Sequence, residues 1–582
     1  MRSGGSIYEF GRFRLDAHAR LLLLEGRPVA LPTKVFDLLL LLVQNSGQVV
    51  TKEELMRQVW PDQFVEENNL TVRMSALRRA LGEKRGGQRY IETVPRLGYR
   101  FVARVREVED QVVAFTEEAK PAEEGKISIA VLPLLNIGKD GDMEYLSDGI
   151  TESIINDLSQ LPQLKVMARS TVFRYKVDEV DAKQVGRDMN VGTVLTGRVW
   201  QLNDRLIIGM ELVNCNDGSQ IWGEQFNRMP SDILAVQEEI AKTVSLKLRL
   251  KLTSLEGRQL AKHCTENAEA YQLYLKGRYF WNKFNEESLR RAIEYFKQAI
   301  AVDENFALAY SGLADAYQRI SNVWVSPREV LSEALSAAIK AVELDDMLAE
   351  AHASLGLVKM YYNHDWAGAE RENRLAIELN PGSALVHQRL GLCLLLMGRF
   401  DESQAETTLA QELDPLSLQI NVNLGMIYYL KGQYEPAAEQ LHKVLDLEPN
   451  YFPAHFTLGW VNTRIGNYAQ AIKEFLVGWQ QERAHIGLGG AGHVHGLLGQ
   501  RAEAQQIIEK LNKISEREHV SPYSVAIIYA GLGDRDRAFE WLEKTYKERG
   551  DGLVWLKVAP ELDSLRGDPR FTRLLERVGL KP

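Results

Sequence analysis

Hydrogen-bond donors set among small residues mark one stretch of this chain as able to read a nucleic acid. Asn69, Val72, Arg73, Ala76 and Arg79 fall on one face of a helix expected over about 68–81. On such a face Arg bonds guanine, Asn bonds adenine, and a small residue lets the helix sit deep in the major groove. Arg96 stands at the tip of a short hairpin, a place suited to a phosphate or the minor groove. The other chemistry-bearing constellations are weaker. Residues 487–492 read GLGGAG and satisfy GxGxxG, but no strand precedes them and they fall inside a helical repeat, which argues against a dinucleotide site. His485, His493 and His495 offer metal-binding nitrogens without a Cys or acidic partner at ligand spacing. Asp148 invites an acid-base role, yet a carboxylate at a helix N-terminus is the commoner reading, with the helix expected from Thr151 to Leu161. Cys215, Cys264 and Cys393 are far apart and form no CxxC pair. With no GxxxxGK[ST], GxSxG or HExxH either, the sequence predicts no enzyme, no cofactor and no metal.

The elements that must position the donors are legible around them. Stretches 8–15, 20–24 and 29–31 alternate as a small antiparallel sheet. Thr33 precedes the apolar run Lys34–Val43, a helix central to a small core, stopped at Asn45-Ser46-Gly47. A second helix starts at Thr51, with Glu54 as its capping-box partner, and runs to Trp60 before Pro61. In the third, Leu70, Met74, Leu77 and Leu81 recur at four, three and four residues and form one buried stripe. Tyr90–Val94 and Tyr99–Val102 then make a hairpin around Pro95-Arg96-Leu97-Gly98.

This order resembles the OmpR/PhoB-type winged-helix family over roughly residues 7–104. The carrying motifs are Thr51-Lys52-Glu53-Glu54-Leu55 with Val59-Trp60, Leu77-Arg78-Arg79-Ala80-Leu81, and Ile91-Glu92-Thr93-Val94-Pro95-Arg96-Leu97-Gly98-Tyr99-Arg100-Phe101. The resemblance implies double-stranded DNA as a partner, with Val72, Arg73 and Ala76 facing bases, Arg78 and Arg79 near phosphates, and Arg96 on the wing in the minor groove. Thr51, Lys52 and Asn69 complete the expected DNA-binding set. Many relatives carry Arg where this chain has Ala76, so base preference does not transfer. Only about six residues precede the first strand, and no phosphoacceptor receiver is expected. The placement is similar to the CadC/ToxR type, without the membrane helix of those proteins.

Charge supports a basic head on an acidic body. Residues 1–106 hold 18 Lys and Arg against 11 Asp and Glu, within a chain of net charge -9. Residues 107–125 carry seven acids against Lys120 and read as a solvated tether. Residues 126–255 alternate strands and helices. Through Ile129-Ala130-Val131-Leu132-Pro133, Tyr145–Thr151, Gly197-Arg198-Val199 and Ile221-Trp222 this region resembles a TolB amino-terminal-like or CsgG/FlgO-like domain, which implies a non-catalytic interaction module.

From 267 to 582 the chain is periodic. Gly391, Gly425 and Gly459 recur at 34 residues, and Gly398, Gly432, Gly466, Gly499 and Gly533 at 34, 34, 33 and 34, the tetratricopeptide period. About eight units are expected, closed by a capping helix from Asp568. Stacked units curve into a concave surface. There Leu392, Met426, Tyr429, Phe456 and Trp460 either form an apolar groove for a protein or peptide partner or fill the core between repeats.

The fold class expected is multidomain: an N-terminal winged helix-turn-helix (α+β), a middle α/β domain and a C-terminal all-α tetratricopeptide superhelix. No apolar run reaches the 18 or so residues of a membrane helix, so a cytoplasmic protein with no membrane partner is expected. The functional expectation is a one-component, sequence-specific transcriptional regulator with signal sensing on the repeats, coupled through the middle domain or through a homodimer on DNA. The alternative is a cytoplasmic protein-interaction scaffold with secondary DNA binding.

Overall fold

The computed structural model describes residues 7–16, 21–24, 27–29, 33–59, 70, 74, 77–78, 81, 90–94, 97–103, 105–108, 127–138, 141–176, 181–248, 250, 265–283, 285–321, 324–482 and 485–581. The chain divides into two compact units, Met1–Glu123 and Glu124–Pro582.

In the first unit, β1 (Ile7–Phe10), β2 (Phe13–Asp16), β3 (Leu21–Leu24) and β4 (Arg27–Val29) form an antiparallel sheet. A further strand, β8 (Val105–Val108), pairs with β1 and carries the sheet two residues past the expected domain end at 106. Helix α1 (Thr33–Gln44) is held on most sides, with Val35, Phe36, Leu38, Leu39, Leu42 and Val43 all buried. Then come β5 (Val49–Thr51) and α2 (Lys52–Val59), whose start is capped where the Thr51 hydroxyl accepts from the Glu54 N–H at 3.2 Å. Strands β6 (Ile91–Val94) and β7 (Gly98–Phe101) form the hairpin, and β5 joins it as a third strand beside β7. Glycine is required where that hairpin leaves its turn, because a Cβ on Gly98 would lie 2.0 Å from the Val50 carbonyl oxygen. Phe10, Phe13, Tyr90 and Phe101 interlock, with Phe10 edge-on to Phe101 at 5.0 Å, and join the two sheets into one core.

The second unit opens with β9 (Ile127–Val131), β10 (Leu135–Asn136), β11 (Leu164–Val166), β12 (Thr193–Leu202), β13 (Arg205–Asn214) and β14 (Gln220–Arg228). They lie in the order β11-β9-β12-β13-β14, with β10 beside β12. The sheet is parallel around β9 and antiparallel from β12 onward. Helices Gly141–Ser159, Ala182–Met189 and Ile233–Lys247 accompany it. The first of these begins ten residues before the expected Thr151, which corrects the reading of Asp148. That residue sits inside the helix rather than at its N-terminus. Its carboxylate is held by Lys176 at 2.5 Å and by Arg169 at 3.8 Å.

Eight antiparallel helix pairs follow among the described residues, from Ala268–Trp281 with Glu286–Val302 to Pro522–Gly531 with Arg535–Lys547, and Pro569–Arg577 ends the array. The periodic glycines have a backbone cause. Gly398, Gly432, Gly466, Gly499 and Gly533 all sit at φ between 72° and 80° in the turn inside each pair, a conformation that costs glycine little. The third pair carries one extra residue, absorbed as a π-helical turn over Lys359–Asn363.

The α/β region and the repeats share a core. Ala270, Tyr271, Leu275, Ala299, Phe306 and Ala309 of the first repeats pack in one apolar cluster with Ile150, Ile154 and Val236. Polar ties reinforce the junction: Glu152 receives Arg278 and Asn282, and Tyr271 donates to Gln237 at 2.8 Å. Farther along, Thr171 donates to Asp414 at 2.7 Å and accepts from the Leu416 N–H at 3.0 Å, while Asn380 donates to Ser159.

Candidate nucleic-acid interface and repeat surface

The helix expected over 68–81 is anchored by the stripe its spacing predicts: Leu70, Met74, Leu77 and Leu81 are all buried in the core of the first unit. Asn69, Val72, Arg73, Ala76, Arg79 and Arg96 lie outside the described residues. Arg78 is described and is committed within the unit. Its guanidinium donates to the Ile91 carbonyl at 3.2 Å and to the Thr93 hydroxyl at 2.7 Å, and lies 5.8 Å from the centre of the Tyr99 ring. It thus fastens the helix to the hairpin. Thr51 is likewise occupied in capping α2, and the Lys52 N–H donates to the Leu97 carbonyl at 3.2 Å. Leu97, at the hairpin tip, is 51% exposed.

The five positions expected on the inward face of the repeats divide. Leu392, Met426 and Phe456 are half-buried, whereas Tyr429 and Trp460 are each only 4% exposed. The Trp460 ring meets Phe475 at 4.9 Å, His493 at 5.4 Å and Phe456 at 5.9 Å, joining its own pair of helices to the next. This corrects the groove reading for Trp460, which fills core between repeats. Tyr429 is enclosed in the same apolar cluster as Leu556, Leu562 and Leu565 near the C-terminus, and Glu561 and Asp563 stand close enough to push its hydroxyl pKa up after burial. The tail also ties back to earlier repeats, with Trp366 donating to the Val578 carbonyl at 2.7 Å and Arg464 bridging Asp563 at 3.0 Å.

The remaining sequence candidates are packing features in this arrangement. Residues 487–492 lie within helix His485–Leu497, where a Cβ on Gly490 would come within 2.6 Å of the Phe475 ring. The three nearby histidines diverge: His485 faces Glu518 at 3.4 Å, His493 bonds the Ile527 carbonyl at 2.8 Å, and His495 bonds Gln500 at 2.6 Å. Burial, the largest cause, takes His493 down to about 4, so it is neutral at pH 7. Among the described residues no group of three or more His, Cys, Asp or Glu is placed to hold a metal ion. Cys215 and Cys393 are buried thiols, and burial pushes Cys393 up to about 12.

One repeated polar device escaped the sequence reading. His352, His387 and His455 each place Nδ1 at 2.6–2.7 Å from a glutamate of the partner helix, Glu372, Glu406 and Glu474. Each places Nε2 on a main-chain carbonyl six residues earlier, at Asp346, Pro381 and Pro449. For His352 and His455 both partners are acceptors, so the ring that satisfies both is the doubly protonated one. Burial opposes the charge on His352 and His455, but the glutamate and carbonyl bonds outweigh it and their pKa values rise. Asn421 and Gln440 hold the same places in the intervening repeat, with Asn421 donating to the Pro415 carbonyl. The signal was a His followed by a Glu nineteen residues later, or twenty in the pair that carries the extra residue, in step with the glycine period.

Comparison with known proteins follows the same division of the chain. Residues 26–101 match the family described as transcriptional regulatory protein, C terminal, and residues 418–451 match a tetratricopeptide repeat. Residues 125–243, whose motifs resemble TolB amino-terminal-like domains, match the second domain of HilA/YgeH-like transcriptional regulators. The chain is 34% identical over 243 residues to putative adenylate cyclase 3 of Rhizobium meliloti, covering 41% of each protein. It is 26% identical over 404 residues to the transcriptional regulator HilA of Salmonella typhimurium, covering 68% of each. The solved DNA-binding domain of E. coli CadC aligns over 18% of this chain and all of that one, at 27% identity and a TM-score of 0.17. The first unit therefore contains an OmpR/PhoB-type DNA-binding domain, followed by a HilA-like regulator domain and tetratricopeptide repeats. These are the domains of a DNA-binding transcription regulator.

Proposed function

We propose that this chain is a one-component transcriptional regulator, acting in the cytoplasm where its DNA lies, whose second unit receives a signal or partner and governs use of the winged helix. The observation that carries the reading is the buried stripe Leu70, Met74, Leu77 and Leu81. A helix fixed by that stripe turns the positions a half-turn away outward, and the sequence puts Asn69, Val72, Arg73 and Ala76 there. Arg96 on the wing and Arg79 supply backbone contacts, and Arg78 acts chiefly by holding helix to wing. A protein or peptide partner is received by the repeats through the half-buried Leu392, Met426 and Phe456. The test is selection of bound sites from random duplex DNA with the full chain. A defined consensus that Arg73→Ala degrades supports the reading, and recovery of random sequence would sink it.

We also propose that the chain is not an enzyme. Its matched domains are regulatory, and the adenylate cyclase name belongs to a relative of which it covers 41%. Incubation with ATP and a divalent metal, followed by assay for cyclic AMP, checks this, and formation above a heat-denatured control would overturn it.

A further inference from the structure

A cavity of about 80 Å³ opens where the α/β region meets the first repeats. Its walls come from five helices: Gly141–Ser159, Ile233–Lys247, Ala268–Trp281, Ala307–Ser321 and Ala349–Val358. That is room for several waters or one small organic group. Four carboxylates line it: Glu152, which pairs with Arg169 and Arg278, and Asp157, Glu238 and Glu350, the last three each from a different helix. Lys242 pairs with Glu238. Among the described residues neither Asp157 nor Glu350 forms a side-chain ion pair, and the Glu350 carboxylate accepts from its own backbone N–H. The nearest cation on the wall, Arg278, is taken by Glu152.

Burial first, then the neighbouring Glu350 and Glu238, push Asp157 up to about 7. Burial likewise raises Glu350, against smaller opposing effects of its own backbone N–H, Arg278 and Arg389. Two half-buried acids, neither held in an ion pair of its own, are costly to keep ionised, and a bound cation lowers that cost. A buried amide on the same wall also lacks a partner. Gln237 lines the cavity at 2% exposure with its Nε2 unpartnered, its Oε1 engaged by the Tyr271 hydroxyl. Turning the amide about offers the cavity an acceptor while Tyr271 remains bonded. Tyr271 and Tyr274, stacked at 6.2 Å, add aromatic wall, the surface that favours organic cations. The carboxylates are not gathered as ligands of one metal ion.

We propose that this cavity binds a small organic ammonium ion, its charge between Asp157 and Glu350 and its carbon chain along Tyr271 and Tyr274. Because the cavity is walled by both the α/β region and the repeats, occupancy ties the two more firmly. The site stands apart from the DNA-binding reading, since binding is measured without DNA.

The experiment is thermal unfolding of the full chain at pH 7 with n-butylamine hydrochloride or 1,4-diaminobutane dihydrochloride, against 1-butanol and sodium chloride at matched ionic strength. At least one amine raises the melting midpoint by several degrees at saturation, and neither control does. Asp157→Asn raises the midpoint of the unliganded protein and abolishes the amine-dependent rise, while Glu350→Gln weakens it. Calorimetry in buffers of different ionisation heat shows proton release on binding, as Asp157 ionises against the ammonium. A rise matched by sodium chloride, a rise that survives Asp157→Asn, or no rise with either amine overturns the proposal.

Discussion

The DNA-binding unit and the repeat array treat the same sequence signal in opposite ways. In the first unit Leu70, Met74, Leu77 and Leu81 are all buried, so their spacing marks the face that packs and the sequence assigns the other face to a ligand. In the array, the first helix of each pair is packed on its own partner and on both neighbouring pairs. Ala454, His455, Thr457, Leu458, Gly459, Trp460, Val461 and Thr463 are all buried within a single helix, Phe452–Arg464. A helix enclosed that fully has no polar stripe, and an aromatic at its inward position is as easily a core residue as a contact residue. Periodicity therefore locates a surface only where one exists.

The sharpest way to break that contrast is Trp460→Ala. Removing a ring packed on Phe475 and His493 lowers stability of the second unit by about 3–5 kcal/mol. Denaturant unfolding reads this, and DNA affinity of the first unit stays unchanged. An unchanged melt with lost partner capture would restore Trp460 to a groove. Next in size is Arg73→Ala, expected to cost about 1–3 kcal/mol of specific DNA binding while sparing binding to random duplex. Loss of the same size on both would make Arg73 a phosphate contact.

Arg78→Ala should cost roughly 1 kcal/mol of stability in the first unit, because its bonds to Ile91 and Thr93 go. It should weaken binding to all sequences alike. If thermal melting is unmoved and only the salt slope of binding falls by about one, the phosphate role is the right one.

The smallest effect concerns pH. The raised His455 contributes stability that is complete below its unfolded value near 6.5 and is lost as pH rises through the higher folded value. Burial opposes ionisation of Glu474, but its bond to His455 and the other polar partners lower its pKa, so its contribution is present above about 4.5 and lost as pH falls through the folded value. The melting midpoint of the array should therefore decline modestly from pH 6 to pH 8. Replacing the pair with the Asn and Gln of the neighbouring repeat, His455→Asn with Glu474→Gln, should flatten part of that decline. An unaltered pH profile would mean the ring is not charged in the fold.

Much of this architecture was legible because its causes are local. The glycines of the array recur where the backbone needs positive φ, and the stripe in the DNA-binding unit recurs where a helix meets one core. What escaped the sequence is non-local. Asp148 read as the start of a helix because Gly149 interrupts the pattern, yet the helix continues through it while Leu275 of the first repeat packs there. Nothing near Tyr429 in the chain announces that residues more than a hundred positions later share its cluster. The Asp157, Glu238 and Glu350 cavity belongs to this class as well, since its walls come from five separated helices.

The tie between Thr171 and Asp414 spans 243 residues. Free tandem repeats fold by nearest-neighbour steps and can start anywhere along the chain. Here the α/β region leaves the ribosome long before the segment that completes it. At about 5–20 residues per second, that edge waits roughly 12–50 seconds for its partner during synthesis. The DNA-binding unit needs no such delay, so a nascent chain completes it well before the second unit exists.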